Sequence, residues 1–569
     1  MVFLAACVGV ATGAAVIGVQ SFVVLAQRAS LGFAAERRVM LPDHASFLRI
    51  FVALCASAIL ITGMAWLARR TTSRHPIDAV EANALRGGTM TWFDAVAVVF
   101  PILASVAFGA SVGIEAAVTQ LGATMASQLG RTLGRPRSDL RILVAAGAAA
   151  AISAAYRAPI AGMLYAYELV LGTYSKRTLA PVGVAAVAAV LTMWLATGQA
   201  KPFQLAMGTK VSWPDYPLAL VVGVLAAMLG IAVMLLVSAV ERLFRPIPGG
   251  ETSARIVVAL VMTVLSIRYP AVLGSGHAAI EGAARGEIGG RAALGLLGAK
   301  SLASAGCLGA GFRGGLFSAS LMIGALLGQV VAWSATFIPG APAVSPELCA
   351  LIGMAALGAS IIGSPLAMIF LVLETTGDFD AAVVVSIGAL TASFLTDRLF
   401  GYSFATWRFQ QRGLAIEGGQ EISRLATITI ESLVRPPGRS IHAGSTITEV
   451  LAAVSVAGGK GTAVYGLNGR FVGLVDPTLV EIATADERPL PVVASDLVFV
   501  TNPVITPRTT LAEITTLLRL DDRPTIAVFD PADPRQLVGC VRARDAFALA
   551  SELSDAQRRD DLGLRANLI

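Results

Sequence analysis

The chain has 569 residues, of which 55% are hydrophobic and only 14% charged, and its mean hydropathy is +0.73. A soluble globular domain carries about a quarter charged residues, so most of this chain is excluded from that class and belongs in a bilayer. The net charge of +6 fits arginines held in cytoplasmic loops under the positive-inside rule. Arg69, Arg70, Arg74 and the stretch from Arg131 to Arg141 are the candidates, and no nucleic-acid partner is called for.

The chain begins MVFLAACVGVATGAAVIGVQ, with no basic n-region or cleavage site, and reads as a first membrane helix rather than a signal peptide. Apolar stretches such as Leu179–Leu195, Leu218–Val237 and Ala381–Leu395 approach the roughly 17–25 residues that span a bilayer. Pro159–Tyr167 is too short to span, as in a broken or re-entrant helix. A spaced triplet occurs twice. Gly147, Pro159 and Glu168 recur as Gly353, Pro365 and Glu374, offset by 353 − 147 = 206 residues. That offset is too long for a solenoid period. It marks two similar halves, 1–198 and 213–411, with a polar loop expected at Arg242–Ser253 in the second. Transporters built this way hold their substrate at the repeat interface, near the bilayer midplane.

The membrane part is expected to span residues 1–415, after which the character changes. ATITIESL, GTAVYGL, FVGLVD, TIAVFD and LVGCVRA read as strands. TITEVLAAVSVAG and TLAEITTLLRLDD read as helices opened by threonine caps. The order strand–helix–strand–strand occurs twice, giving α/β domains at 425–485 and 493–553 and a charged tail, 554–569, expected to fray. Five cysteines stand singly without CxxC or metal spacing, so burial is expected of them and no metal site.

Three further segments carry a family resemblance. Gly113 to Gln120 (GIEAAVTQ) resembles the GxExP-type anion-path segment of the CLC chloride channels and transporters. Gly309 to Gly328 (GAGFRGGLFSASLMIGALLG) resembles their second-half GSGxxGGxFxPxLxxGA segment, and Gly401-Tyr402-Ser403 their tail helix with its pore tyrosine. The two triplets match the family's Gly–Pro–Glu helix segments, and the C-terminal duplication resembles paired CBS domains. The resemblance runs in order over nearly the whole chain. It implies an all-α polytopic membrane protein with an inverted internal repeat, a C-terminal α/β CBS pair, and a homodimer with one anion pathway per subunit. It also implies chloride transport, as a proton-coupled exchanger or a channel, in a bacterial inner membrane with the CBS pair cytoplasmic.

By the same resemblance Glu115 is the gating glutamate, which competes with the anion and carries the proton. Gly113, Ile114, Leu316 and Phe317 would offer backbone to the anion, and Tyr402 its hydroxyl. The physics is consistent with this. A dehydrated anion needs compensation, which broken helices supply through their positive N-termini and unpaired N–H groups, and glycine lets the anion approach. A carboxylate inside a membrane is costly and therefore usually functional.

The departures matter as much. Ile114, Ala116, Ala117 and Ala319 replace the family's arginine, glycine and two prolines. Arg74-His75-Pro76-Ile77-Asp78 stands where the first anion-path motif, GSGIP, belongs. His75 could bind an anion and titrate near neutral pH, or face water at a helix start, so nitrate and fluoride stay open beside chloride. Arg313 could raise the potential at a pore mouth or meet a lipid headgroup. Glu168 and Glu374 are expected to bond backbone amides and hold the fold. Leu169 occupies the place of a proton-relaying glutamate, which leaves passive conduction or exchange by another route. Asp545 matches a CBS ribose-binding position, but Arg542 replaces the usual hydroxyl residue and Leu479 the acid of the first repeat. A structural pair is therefore expected rather than an adenine-nucleotide site, and no other cofactor. The competing reading is a membrane-anchored nucleotide or ionic-strength sensor, which would need neither Glu115 nor the glycine-rich helix starts. Hydrolysis is not expected: HExxH is absent, and the one GxSxG string, Gly109 to Gly113, follows no strand.

Overall fold

A computed structural model describes residues 1–35, 46–71, 76–198, 211–246, 250–339, 344–411, 428–457, 461–485, 492–499, 505–521, 524–531, 533 and 536–561. It divides into two compact units, Met1–Gln420 and Glu421–Ile569.

The first unit is helical. Among the described residues, nine helices are long and apolar enough to cross a membrane, including α1 (Val2–Leu31), α2 (Phe47–Thr71), α6 (Arg137–Tyr156), α8 (Lys176–Thr197), α9 (Asp215–Phe244), α10 (Gly250–Arg268), α12 (Gly290–Gly309) and α13 (Phe317–Ala335). The chain is an integral membrane protein. Between the long helices lie shorter ones: α3 (Ala79–Leu85), α4 (Trp92–Ala107), α5 (Glu115–Thr132), α7 (Pro159–Tyr165), α11 (His277–Ala284), α14 (Pro346–Ile362) and α15 (Pro365–Thr376). α16 (Phe379–Leu399) and α17 (Phe404–Gln411) close the unit.

Local chemistry sets these ends. Thr91 and Asp94 form a capping box on α4, Asp78 caps α3, and Ser345 caps α14 ahead of Pro346. α7 and α15 both start on proline, whose missing N–H costs nothing at the first helical position. The expected polar loop Arg242–Ser253 is largely helical instead, since α9 runs to Phe244 and α10 starts at Gly250. Arg242 in the last turn of α9 and Glu251 in the first turn of α10 complement the helix dipoles and extend both elements.

The repeat is visible in the packing. A Cβ on Gly147 of α6 would lie 2.3 Å from the Gly122 carbonyl oxygen of α5, and one on Gly353 of α14 would lie 2.1 Å from that of Gly324 on α13. Both helix pairs thus cross backbone to backbone, as small residues permit in membranes. The two glutamates exchange helices. Glu374, on α15, accepts the Ile160 and Ala161 N–H groups at the start of α7, at 3.0 and 2.8 Å. Glu168, in the π-helical turn Ala166–Leu171 that continues α7, accepts those of Leu366 and Ala367 at the start of α15, both at 3.1 Å. Each short helix is capped by its counterpart.

The second unit is α/β, built on two sheets. Strands β1 (Arg439–His442), β2 (Thr462–Tyr465), β3 (Phe471–Val475) and β4 (Val498–Phe499) form one sheet in that order, parallel between β1 and β2 and antiparallel thereafter. β5 (Thr525–Phe529) and β6 (Leu537–Arg542) form an antiparallel pair. Helices α18 (Ile447–Ala457), α19 (Pro477–Thr484), α20 (Leu511–Asp521) and α21 (Ala543–Asp561) accompany them. Thr510 and Glu513 bond each other's backbone N–H at the start of α20. The segment ATITIESL is not a strand where described: Thr429 makes one bridge to Thr510 and Ile430–Leu433 is a 3₁₀ turn. The tail expected from residue 554 is helical to Asp561. Among the five free cysteines Cys307, Cys349 and Cys540 are buried, Cys55 is half-buried, and Cys7 is exposed on the apolar face of α1.

Candidate functional site

The site forms where two helix starts meet. Gly113 and Gly315 pair as an antiparallel bridge, each donating its N–H to the other's carbonyl at 2.9 and 3.2 Å. They stand at equivalent places, 115 − 113 and 317 − 315 being both two residues ahead of α5 and α13. Antiparallel pairing of equivalent residues is the local form of a two-fold relation. It aims both first turns, with their unpaired N–H groups, toward one region. Ile114 and Leu316 are the N-cap residues, and neither makes a side-chain cap.

Glu115 opens α5 and is 3% exposed. One carboxylate oxygen accepts the Tyr156 hydroxyl at 2.7 Å, and the other the Ser318 hydroxyl at 3.4 Å. The carboxylate folds back over Gly113, where a Cβ would lie 2.0 Å from Oε2. Gly113 therefore leaves room for the carboxylate. Its own N–H belongs to Gly315, so amides for an anion must come from beyond it. With Ala117 in place of proline, its N–H bonds the Ile114 carbonyl at 2.9 Å and tightens the first turn.

An aromatic stack backs the carboxylate. The Phe317 ring lies between Tyr156 and Tyr165, at centroid distances of 5.1 and 6.0 Å. On its other side Tyr156 stacks on His277 at 6.0 Å, and His277 Nδ1 shares a 2.7 Å hydrogen bond with Ser275. The turn carrying Ser275 is held by Lys300, fully buried on α12, which donates to the Gly274 carbonyl at 2.7 Å. Ser111 and Ser304, 3.0 Å apart, tie the approach to α5 to α12.

Tyr402 is half-buried and packs edge-on to Phe400, while the neighbouring Ser403 seats against Gly363 at the end of α14. Arg313 is exposed and its N–H bonds Ser105 at 2.9 Å. His75 lies outside the described residues; the rest of that motif is tied down by Asp94, which accepts the Ile77 N–H, and by Gln120, which donates to the Ile77 carbonyl. Leu169 is buried in the π-helical turn, beside α3. Asp545 is engaged by Arg542 at 2.6 Å and faces Arg544 at 3.5 Å.

Sequence reasoning did not single out Tyr156, Ser318, Ser275, His277 or Lys300. The glycines around Ser275 are the same kind of helix-start signal that identified Gly113, and could have been found by it.

The sequence profile described as voltage gated chloride channel matches residues 53–397. A putative ClcB-like chloride channel protein of Ralstonia nicotianae is 31% identical over 343 residues, covering 59% of this chain and 79% of that protein. The crystal structure of a slow cyanobacterial Cl−/H+ antiporter shares the fold with a TM-score of 0.63 at 20% identity, over 72% of this chain and 97% of that one. That of a eukaryotic CLC transporter shares it with a TM-score of 0.60 at 18% identity, over 96% of this chain and 97% of that one.

Proposed function

The chain belongs to the voltage gated chloride channel family, and from that premise we propose that it carries chloride across the membrane with Glu115 as its gate. The observation that carries the reading is the buried Glu115 carboxylate at the junction of two facing helix starts. Ionised, it occupies the place an anion would take; protonated, it leaves the positive helix ends to the anion. The first-turn amides beyond Ile114 and Leu316, including that of Phe317, supply the backbone donors, and Tyr402 lines the pathway further along.

The retained carboxylate supports proton-coupled exchange. One observation favours passive conduction instead: Leu169 is buried and cannot carry a proton. Purified protein in liposomes with a chloride gradient and an external pH-sensitive dye distinguishes the two, since exchange drives protons uphill. Glu115→Gln is expected to abolish proton movement and keep anion flux. Unchanged proton movement in that variant would sink the gate assignment. Repeating the assay with nitrate and with fluoride tests the consequence of the RHPID segment.

The working assembly in this reading is a homodimer in a bacterial inner membrane, with the C-terminal pair in the cytoplasm. The bacterial source of the relative supports the location. The C-terminal pair is taken as structural, because Asp545 is already neutralised by Arg542. Calorimetric binding of ATP to the full chain would overturn that part.

A further inference from the structure

We propose that Tyr156 is the latch of the gate: its hydroxyl holds the Glu115 carboxylate in the blocking position, and the Phe317 ring ties that hold to the anion site. This rests on the reading of Glu115 as the gate.

Three observations combine. Tyr156 is fully buried and donates to Glu115 at 2.7 Å, the shorter of the two side-chain bonds to that carboxylate. A buried bond to a charged acceptor is among the stronger hydrogen bonds available to a protein. Second, Tyr156 cannot turn away freely. It is the last residue of α6, its ring lies between Phe317 at 5.1 Å and His277 at 6.0 Å, and Arg157 ends the helix in the left-handed conformation at φ 53°. Third, Phe317 is the first residue of α13, whose opening amides are the anion donors in the reading proposed above. The ring of that first residue packs directly on the latch, so an anion arriving at the helix start and the Tyr156 hydroxyl share one packing neighbour.

The hydroxyl acts on one protonation state. The ionised carboxylate accepts the Tyr156 hydrogen bond at full strength; a protonated carboxyl is a weaker acceptor and gains less. The latch therefore favours the closed gate when the carboxylate is ionised. The other titratable and charged groups on this group's faces are His277 on α11, Lys300 on α12 behind the Ser275 turn, Tyr165 on α7, and Asp78 at the start of α3, which with Glu115 acts electrostatically on Tyr165.

Tyr156→Phe removes the hydroxyl and keeps the ring between Phe317 and His277. The test is anion efflux from liposomes across pH 4 to 9, in the wild type, Tyr156→Phe, Glu115→Gln and the double variant. In the single variant we expect efflux at alkaline pH to rise about tenfold, the usual weight of one hydrogen bond to a charged group, and the pH of half-maximal efflux to move upward. In the Glu115→Gln background the same substitution should change nothing. A wild-type pH profile for Tyr156→Phe, beside a pH-insensitive Glu115→Gln, overturns the latch and leaves the gate standing. Equal loss of efflux in both backgrounds also overturns it, by showing a packing role alone. If Glu115→Gln itself keeps the wild-type profile, the gate reading fails, and the latch with it.

Discussion

The exchanged caps invite a quantitative test. Glu374→Gln leaves one acceptor oxygen for two N–H groups and turns the second terminus into an NH₂ donor facing a donor. In the native chain both oxygens accept, from Ile160 at 3.0 Å and Ala161 at 2.8 Å, at the positive end of α7. A bond to a charged group is worth about 1.5–3 kcal/mol, and the surviving bond weakens once the acceptor is neutral. Ile160 is exposed, so another acceptor can replace part of the loss. The net cost should be about 1–2 kcal/mol, and a similar figure applies to Glu168→Gln at Leu366 and Ala367. Because α7 and α15 pack on each other, the double variant should lose less than the sum of the two singles. The assay is the half-life of the detergent-solubilised protein at elevated temperature, followed by gel filtration, since membrane proteins unfold irreversibly and their stability is a rate. Equal half-lives for wild type and Glu374→Gln would refute the capping role. A normal half-life with lost proton coupling would move Glu374 into the transport pathway.

The other tests are shorter. Gly147→Ala and Gly353→Ala each drive a methyl group to 2.3 and 2.1 Å from a facing carbonyl oxygen, which should cost about 1–3 kcal/mol or more; thermal half-lives equal to wild type would show that the helix pairs can part. Arg157 alone among the described non-glycine residues has positive φ, and its Nη2 bonds Thr197 at 2.8 Å. Arg157→Gly and Arg157→Ala both lose the bond; Arg157→Gly also relieves about 1 kcal/mol of strain and should stay near wild type, whereas Arg157→Ala keeps the strain and should fall below both. Burial pushes the Cys540 thiol from 9.0 up to about 12, so maleimide at pH 8 should leave it unmodified by mass spectrometry until the C-terminal unit opens. The raised value belongs to the folded state, so its contribution is whole below pH 9 and falls away as pH rises from 9 toward 12.

What could be read from the chain, and what could not, follows from the range of each interaction. Composition and the Gly–Pro–Glu spacing are local, and they were enough to identify a duplicated membrane protein. Glu115 was legible because a carboxylate between apolar runs is conspicuous by its cost. The exchange of caps was not legible: spacing places Glu168 and Glu374 on their helices but cannot say that each bonds the other's. Tyr156 escaped for the same reason, since its partner is 41 residues away and meets it only because α6 stops at Arg157. At ATITIESL the alternation of apolar residues reads as a strand, but among its described residues only Thr429 finds a bridging partner, in Thr510, and the chain turns instead.

The two-fold relation also separates scaffold from chemistry. Residues that match across the halves do structural work: Gly147 with Gly353 at the helix crossings, Glu168 with Glu374 in the exchanged caps, Gly113 with Gly315 in the bridge. The residues that differ at matched places are the ones gathered around the carboxylate. Glu115 corresponds to Phe317, since each opens its helix two residues past the bridge. Tyr156 corresponds to Ile362, each being the last residue of its helix, and Arg157 to Gly363, both in the left-handed conformation that follows. A symmetric pair of helix starts would hold an anion equally well from either half and could not gate it. The substitution of one half's phenylalanine by a glutamate, and of one half's isoleucine by a tyrosine within hydrogen-bonding reach of it, breaks that equivalence. If Glu115 is the gate proposed above, gating resides in the departures of this chain from its own internal repeat.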